Sequence, residues 1–266
     1  MAKLKVMTFN IRNESLEDGI NYLDNRKGKI LEVIDNESPD LIGFQEASNA
    51  SRAWLRDSLN DYTVVGCGRY GNYRGESAPL AFRKDKFEMV GMETFWLSST
   101  PKVPASIYAG SDQSDCPRIA TAAVLKPIDS DSLLLFINTH ADHLGSMART
   151  LASAQLLEYM SNKGLPCVLT GDFNATPNTT EMKMLTASDK FPLVDATSNI
   201  GGTFHGFGKL LTDENFLKAF GGVSPKIDYI FTNLPTDVDE SYAVEDKHED
   251  GIYISDHQPV VAFIEV

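Results

Sequence analysis

Carboxylates, carboxamides and imidazoles recur in this sequence where apolar runs end, and that placement is where chemistry would be expected. GDFNATP, residues 171–177, sets Asp172 and Asn174 two positions apart behind the apolar run LPCVLT, 165–170. A strand sends alternate side chains to one side, so both would leave its C-terminal end together, where open α/β sheets hold ligands. Alone, the stretch reads equally well as a turn, since Asp, Asn, Gly and Pro are turn residues. The pattern recurs, however. Asn10 follows KLKVMTF (3–9), Glu46 follows DLIGFQ (40–45) and His140 follows LLLFINT (133–139). Asp228 lies near the start of KIDYIF (226–231), and Asp256 and His257 precede QPVVAFI (258–264). So many polar strand ends gathered at one rim would be costly without a ligand to organise them.

The nature of that ligand follows from hardness. Glu46, Asp172 and Asp256, with amide oxygens from Asn10 and Asn174, form an oxygen-rich donor set suited to Mg²⁺ or Mn²⁺. Zinc would prefer more nitrogen or sulfur, and neither HExxH nor CxxC occurs. A carboxylate-bound dication beside two histidines is equipment for hydrolysis. The ion polarises a phosphoryl oxygen, a carboxylate or imidazole activates water, and a protonated imidazole stabilises developing charge.

The elements that must position these residues alternate along the chain. Strands are expected at 3–9, 40–45, 62–66, 79–82, 119–125, 133–139, 167–170, 226–231 and 258–264, as short apolar runs. Helical spacing predicts helices over 26–36 (Ile30, Val33, Ile34), over 51–59, and over 146–160 with Met147, Leu151, Ala154, Leu157 and Tyr159 inward. Strands with helices between them predict an α/β layered sandwich, sheets inside and helices outside. The 266 residues show no linker, repeat of fixed period or low-complexity tract, so one domain, 1–266, is expected.

Net charge is −13, which disfavours general binding to duplex nucleic acid. Seven cations between Arg52 and Lys86 form a local exception, and the acidic run Asp237–Asp250 reads as a solvated loop. Three scattered cysteines argue against a disulfide framework. The N-terminus lacks a signal-peptide apolar region and no run suits a membrane span, so a cytoplasmic protein without membrane association is expected. Nothing marks an obligate protein partner, and a monomer is expected.

Together, TFNIR, FQE, INTH, GDFN, KIDYIF and SDH, in that order from Thr8 to His257, resemble the endonuclease/exonuclease/phosphatase superfamily. The resemblance implies a DNase I-like four-layer α/β sandwich with two central mixed sheets, a divalent metal (Mg²⁺ or Mn²⁺) and in-line attack of water on phosphorus. It implies that Asn10, Glu46, Asp172 and Asp256 serve the metal, with Glu46 a direct ligand and Asp172 also activating water. It makes His257 a catalytic histidine whose tautomer Asp228 fixes, His140 a second catalytic histidine paired with Glu76, and Asn174 the amide that holds phosphate. Arg118 resembles a phosphate-contacting residue. The glycine-rich GGTFHGFG, 201–208, is expected at the site rim with Phe204, His205 or Phe207 on substrate; Trp96 is expected in the core. The implied substrate is a phosphodiester: a nucleic-acid end, a short single strand or a small molecule. The alternatives are a phosphatase for a soluble phosphorylated metabolite and a non-catalytic binding module.

Overall fold

The computed structural model describes residues 3–246 and 250–266. Part of the acidic run, 247–249, therefore lies outside the described residues. Among the described residues, twelve strands run as β1 (Lys3–Asn10), β2 (Leu41–Gln45), β3 (Tyr62–Val65), β4 (Leu80–Arg83), β5 (Phe87–Trp96) and β6 (Ile119–Pro127). They continue as β7 (Leu134–His140), β8 (Cys167–Asp172), β9 (Val194–Asp195), β10 (Asp228–Thr232), β11 (Tyr242–Ala243) and β12 (Val260–Glu265). The main helices are α1 (Leu23–Glu37), α2 (Asn49–Ser58) and α3 (Ser146–Lys163), followed by the short α4 (Thr180–Thr186), α5 (Lys209–Thr212) and α6 (Glu214–Ala219).

The strands form two mixed six-stranded sheets, ordered β11-β12-β1-β2-β4-β3 and β5-β6-β7-β8-β10-β9. Position for position the two orders match. Each sheet has one parallel pair, β1/β2 or β7/β8, and antiparallel neighbours elsewhere. A parallel pair needs a long crossover, supplied by α1 in the first sheet and α3 in the second. The repeat is one of topology, invisible as a sequence period. The helices cover the outer faces, giving the expected four layers.

Strand periodicity builds the interior as a gradient. Leu4, Val6, Thr8 and Asn10 share one face of β1, and Leu134, Phe136, Asn138 and His140 share one face of β7. Leu4, Val6, Leu134 and Phe136 join Leu41, Val168 and Ile230 in the apolar layer between the sheets. The opposite faces, carrying Met7 and Phe9 or Leu135 and Ile137, pack toward the helices. One step further along, the inter-sheet layer becomes neutral and polar. Gln45 Nε2 donates to Thr8 Oγ1 (3.0 Å) and to Asn138 Oδ1 (2.7 Å), which also accepts from Thr170 Oγ1 (3.1 Å). Asn138 Nδ2 returns two bonds across the layer, to the carbonyls of Phe44 (2.6 Å) and Pro79 (3.1 Å). One step further still lie the ionisable residues.

Gly43 marks how closely the sheets approach at this belt. A Cβ there would lie 2.0 Å from Thr170 Oγ1 and 2.6 Å from Asn138 Oδ1. Gly43→Ala should therefore cost about 3 kcal/mol, because the belt must either part or lose its bonds. Thermal unfolding should show a fall of roughly 6–10 °C; a change within a degree would refute this account of the interface.

Two sequence expectations need correction. The α3 helix exists, but it buries Ala148, Ala152, Ser153, Leu156 and Met160, leaving Met147 and Leu151 exposed and Ala154 outward. Small residues let the helix sit close to the sheet, a preference that reading by large apolar side chains misses. The β5 strand was not expected; its middle is exposed on an edge, with a bulge between Met89 and Gly91, so it carries little apolar alternation. Trp96 is buried as expected, its Nε1–H bonded to the Arg69 carbonyl at 2.7 Å. Among the described residues, no helix is long and apolar enough to cross a membrane.

Candidate active site

Strand register assembles the centre. In the second sheet, Asp172 pairs with His140 on one side and with Asp228 on the other, so three ionisable residues stand in one row. The first sheet brings Asn10, paired in register with Gln45, and Glu46 directly after it. Asn10 Nδ2 joins the two halves: it lies 3.0 Å from Asp172 Oδ2, 3.1 Å from Glu46 Oε1 and 3.4 Å from His257 Nε2. Its carboxamide oxygen accepts the Arg12 N–H at 2.9 Å. Asn10 therefore faces the carboxylates as a donor, rather than as the oxygen ligand expected from sequence.

The chain turns sharply as it leaves these strands. Arg12, Glu46 and Asn174 all have left-handed backbone, with φ of 51°, 61° and 50°. Asparagine tolerates that region, whereas arginine and glutamate do so at a cost. Surrounding bonds hold them there. Glu46 Oε2 accepts Asn13 N–H (3.1 Å), and Asp172 Oδ1 accepts Asn174 N–H (2.9 Å). Asn174 Nδ2 reaches the Ala141 carbonyl at 3.2 Å.

His257 is buried against a fixed partner. Its Nδ1 is 2.9 Å from Asp228 Oδ2, and that oxygen also accepts the Thr203 hydroxyl at 2.6 Å. The pairing makes Nδ1 the protonated nitrogen and turns Nε2 toward Asp172 Oδ2, 3.7 Å away. His140 Nε2 approaches the same oxygen from its own strand, at 3.6 Å. The two imidazoles are tuned in opposite directions. Burial works against the charged ring of His257, but Asp228, Asp172 and Asp256 outweigh it and raise its pKa to about 10. Burial, then Arg118 and Arg69, holds His140 well below the ordinary imidazole value. Asp172 is pushed up to about 7 by burial and by Asp228, with His257 opposing.

Two groupings can be weighed as a metal centre. Ligand atoms of Asp172, Asp228 and His257 lie within 4.8 Å of one another, so this buried set could hold an ion. Asp228 Oδ2 and His257 Nδ1 are, however, engaged with each other. The carboxylates Glu46, Asp172 and Asp256 offer hard oxygens, and Arg12 lies between two of them, 3.7 Å from Glu46 Oε2 and 3.9 Å from Asp256 Oδ2. A guanidinium and an amide N–H₂ directed at these oxygens mark a position of concentrated negative charge, and that donor set fits a hard divalent cation.

The remaining expected residues are placed as follows. Glu76 does not take His140 as its partner; Arg69 Nη1 holds it at 2.9 Å and Asn13 Nδ2 at 2.9 Å. Arg118 is buried, with Nη2 2.9 Å from His143 Nδ1 and Nε 3.5 Å from Asp142 Oδ2. Despite its burial, bonds from Ser114, Gly145 and Leu144 hold the Asp142 carboxyl down at about 2. His205 belongs to the packing of its loop, accepting Gly208 N–H at Nδ1 (3.2 Å) and lying 5.2 Å from the Tyr253 ring. Phe204 does meet the centre, its ring 4.9 Å from that of His257. The glycine-rich loop thus backs His257 with Phe204 and Asp228 with Thr203. Sequence reasoning missed Arg12, Asn13, Arg69 and Thr203; Arg12 and Asn13, inside TFNIRN, had a readable signal in their nearness to Asn10.

Comparison with known proteins accords with this geometry. The description of the endonuclease/exonuclease/phosphatase family matches residues 7–257. A Bacteroides vulgatus member of that family is 30% identical, with TM-score 0.89 and complete coverage of both chains. The mannosyl-6-phosphatase of Bacteroides thetaiotaomicron is 27% identical, with TM-score 0.83, over 98% of this chain and 100% of the other. An uncharacterised protein of Acanthamoeba polyphaga mimivirus is 27% identical over 158 residues; the match spans 57% of this chain and 59% of that relative's length. The chain belongs to the endonuclease/exonuclease/phosphatase family, whose members are phosphoric ester hydrolases, generally dependent on a divalent metal.

Proposed function

We propose that the chain hydrolyses a phosphate ester with Mg²⁺ or Mn²⁺, water attacking phosphorus in line with the leaving oxygen. The observation that carries this reading is the geometry around one carboxylate: Asp172 stands in a row with His140 and Asp228, and His257, its Nδ1 bonded to Asp228 Oδ2 at 2.9 Å, turns Nε2 toward Asp172 Oδ2. A carboxylate and an oriented imidazole directed at one position can divide base and acid roles. Asp172 takes a proton from the attacking water while its oxygen bonds to phosphorus. His257, kept charged by Asp228, directs Nε2–H at the phosphoryl oxygens. The bond to the leaving oxygen breaks, and the proton first taken by Asp172 returns as the alcohol forms. Glu46, Asp172 and Asp256 would hold the ion, whose charge opposes the negative charge developing on the phosphoryl and leaving oxygens. Asn174, Arg118 and His140 line the approach for the phosphoryl group.

A soluble phosphorylated metabolite is the favoured substrate. The supporting observations are the acidic chain, with net charge −13, and the 27% identity to a mannosyl-6-phosphatase along essentially the whole chain. The phosphodiester is a second reading, supported by the two histidines on either side of Asp172. We read the protein as a cytoplasmic monomer acting without an obligate partner; three free cysteines suit a reducing compartment. Hydrolysis of p-nitrophenyl phosphate and bis-p-nitrophenyl phosphate, with Mg²⁺, Mn²⁺ or EDTA, tests the proposal. Turnover should require the metal and favour the monoester. Activity that survives EDTA would point to carboxylate chemistry of another kind, and a binding module would turn over neither compound.

A further inference from the structure

Arg12 stands two residues beyond the end of β1, in left-handed backbone fixed by Asn10, whose carboxamide oxygen accepts the Arg12 N–H at 2.9 Å. The Arg12 carbonyl accepts Arg26 Nη2 at 3.0 Å. The main chain therefore decides where the side chain starts. Its guanidinium is then held from outside the centre. Nε and Nη2 donate to the two carboxylate oxygens of Asp18, both at 3.1 Å. A planar fork matched to a carboxylate in this way is fixed in orientation as well as position. Asp18 comes from the 3₁₀ segment Leu16–Asn21, and its side chain is buried.

Held there, the guanidinium faces two of the metal-side carboxylates without bonding to either. Nη1 lies 3.7 Å from Glu46 Oε2 and Nε 3.9 Å from Asp256 Oδ2, both beyond hydrogen-bond length. Glu46 takes its hydrogen bonds from other groups, Asn10 Nδ2 at Oε1 and the Asn13 N–H at Oε2. Arg12 thus acts on Glu46 and Asp256 by charge, and leaves lone pairs on their oxygens for an ion. Burial works against its own charge, but Asp18, Glu46 and Asp256 outweigh that, so the guanidinium stays cationic. In two-metal sites the ions stand roughly 3.5–4 Å apart and share carboxylates. Here a fixed cation already faces the oxygens that a second ion would need.

On the metal-dependent reading above, we propose that Arg12, pinned by Asp18, is the built-in second cation of the centre: it limits Glu46, Asp172 and Asp256 to one divalent ion and lowers their affinity for it. Its charge draws the carboxylates together before an ion arrives, and repels the ion that comes. The centre gives up affinity, which rises with the net negative charge of the ligands, in return for carboxylates already arranged to receive one ion.

Mn²⁺ binding to the full chain, followed by calorimetry and electron paramagnetic resonance with no ester present, tests this. Binding at the centre is the component lost in Glu46→Gln. Arg12→Gln should bind Mn²⁺ there about 10- to 100-fold more tightly, the effect of removing one unit charge beside the ligands. Arg12→Lys, which keeps the charge but not the fork, should stay within about fivefold of wild type. Unchanged or weaker binding by Arg12→Gln would overturn the proposal, and so would equal tightening by Arg12→Lys. A further measurement needs no variant: at saturating Mn²⁺ the wild-type centre should show the spectrum of an isolated ion. The spectrum of an exchange-coupled pair would also overturn the proposal. Failure of the wild type to bind Mn²⁺ at all would instead refute the metal-dependent reading, so the two failures are distinct.

Discussion

His257→Asn should lower kcat/KM by about three orders of magnitude while the protein remains folded. The choice of asparagine follows from geometry. Nδ1 of His257 is bonded to Asp228 Oδ2 at 2.9 Å, and an asparagine amide can still donate there. What is lost is Nε2, the nitrogen directed at Asp172 and the phosphoryl position. General acid–base and electrostatic roles of this kind are worth about 10²–10⁴ in rate. Alanine would be a poorer probe, since it would leave a buried carboxylate short of its main donor and add a stability cost. The same variant should change stability against pH. Because the folded pKa of His257 is raised, its stabilising charge is fully present below about 6.5, the ordinary histidine value, and is lost as pH rises through about 10. Wild type should therefore lose stability relative to His257→Asn across that window. Retention of near-normal turnover by a metal-loaded His257→Asn protein would remove His257 from the mechanism.

Arg26→Leu should cost about 3–5 kcal/mol and reduce activity well beyond its effect on folding. Arg26 is fully buried on α1, where its guanidinium donates to four carbonyl oxygens and lies over the Phe207 ring. Nε donates to Asn21 (2.5 Å), Nη1 to Ile11 (2.7 Å) and Ile254 (2.8 Å), and Nη2 to Arg12 (3.0 Å). Burial pulls its pKa down to about 10, with Asp256 and Asp18 opposing, so it remains charged at neutral pH. Leucine would leave four carbonyls without this donor, each penalised by about 1–3 kcal/mol unless water reaches it. The bonded segments are those that carry Asn10, Arg12 and Asp256, so their loosening should blur the metal-side geometry. Urea unfolding with a parallel assay of metal dependence checks both effects. A variant of unchanged stability would show that water replaces the guanidinium at no cost.

Asn10, Glu46, His140, Asp172, Asp228 and His257 were legible in the sequence for one reason: each sits at a strand end, and strands are read from short apolar runs. Convergence then follows from two sheets facing each other. Thr203 was not legible, because it acts through a bond to Asp228, 25 positions away in sequence. Asn13 was marked only by its nearness to Asn10, its partner Glu76 lying 63 positions away. The pairing of Glu76 with His140 failed in the same way: position near a strand does not specify which side chain is met across a gap. The face of α3 was misread because alanine and serine, not the larger apolar residues, set the helix close to its sheet. Arg26 carried no signal at all, since a lone arginine in an amphipathic helix reads as surface.

The pairing of β1 with β12, from Lys3 opposite Glu265 to Thr8 opposite Val260, has a consequence for biosynthesis. A chain emerging from the ribosome N-terminus first holds every strand of the second sheet, β5 to β10, once residue 232 is free. The first sheet is completed later, because β1 has no β12 to flank it until residue 265 is made. Asn10 and His257, 247 positions apart, meet only then. The nascent polypeptide thus carries Asp172, Asp228 and His140 in their row before it carries the rest of the centre. Hydrolytic competence therefore requires the β12 segment, and no translation intermediate that lacks it should display activity.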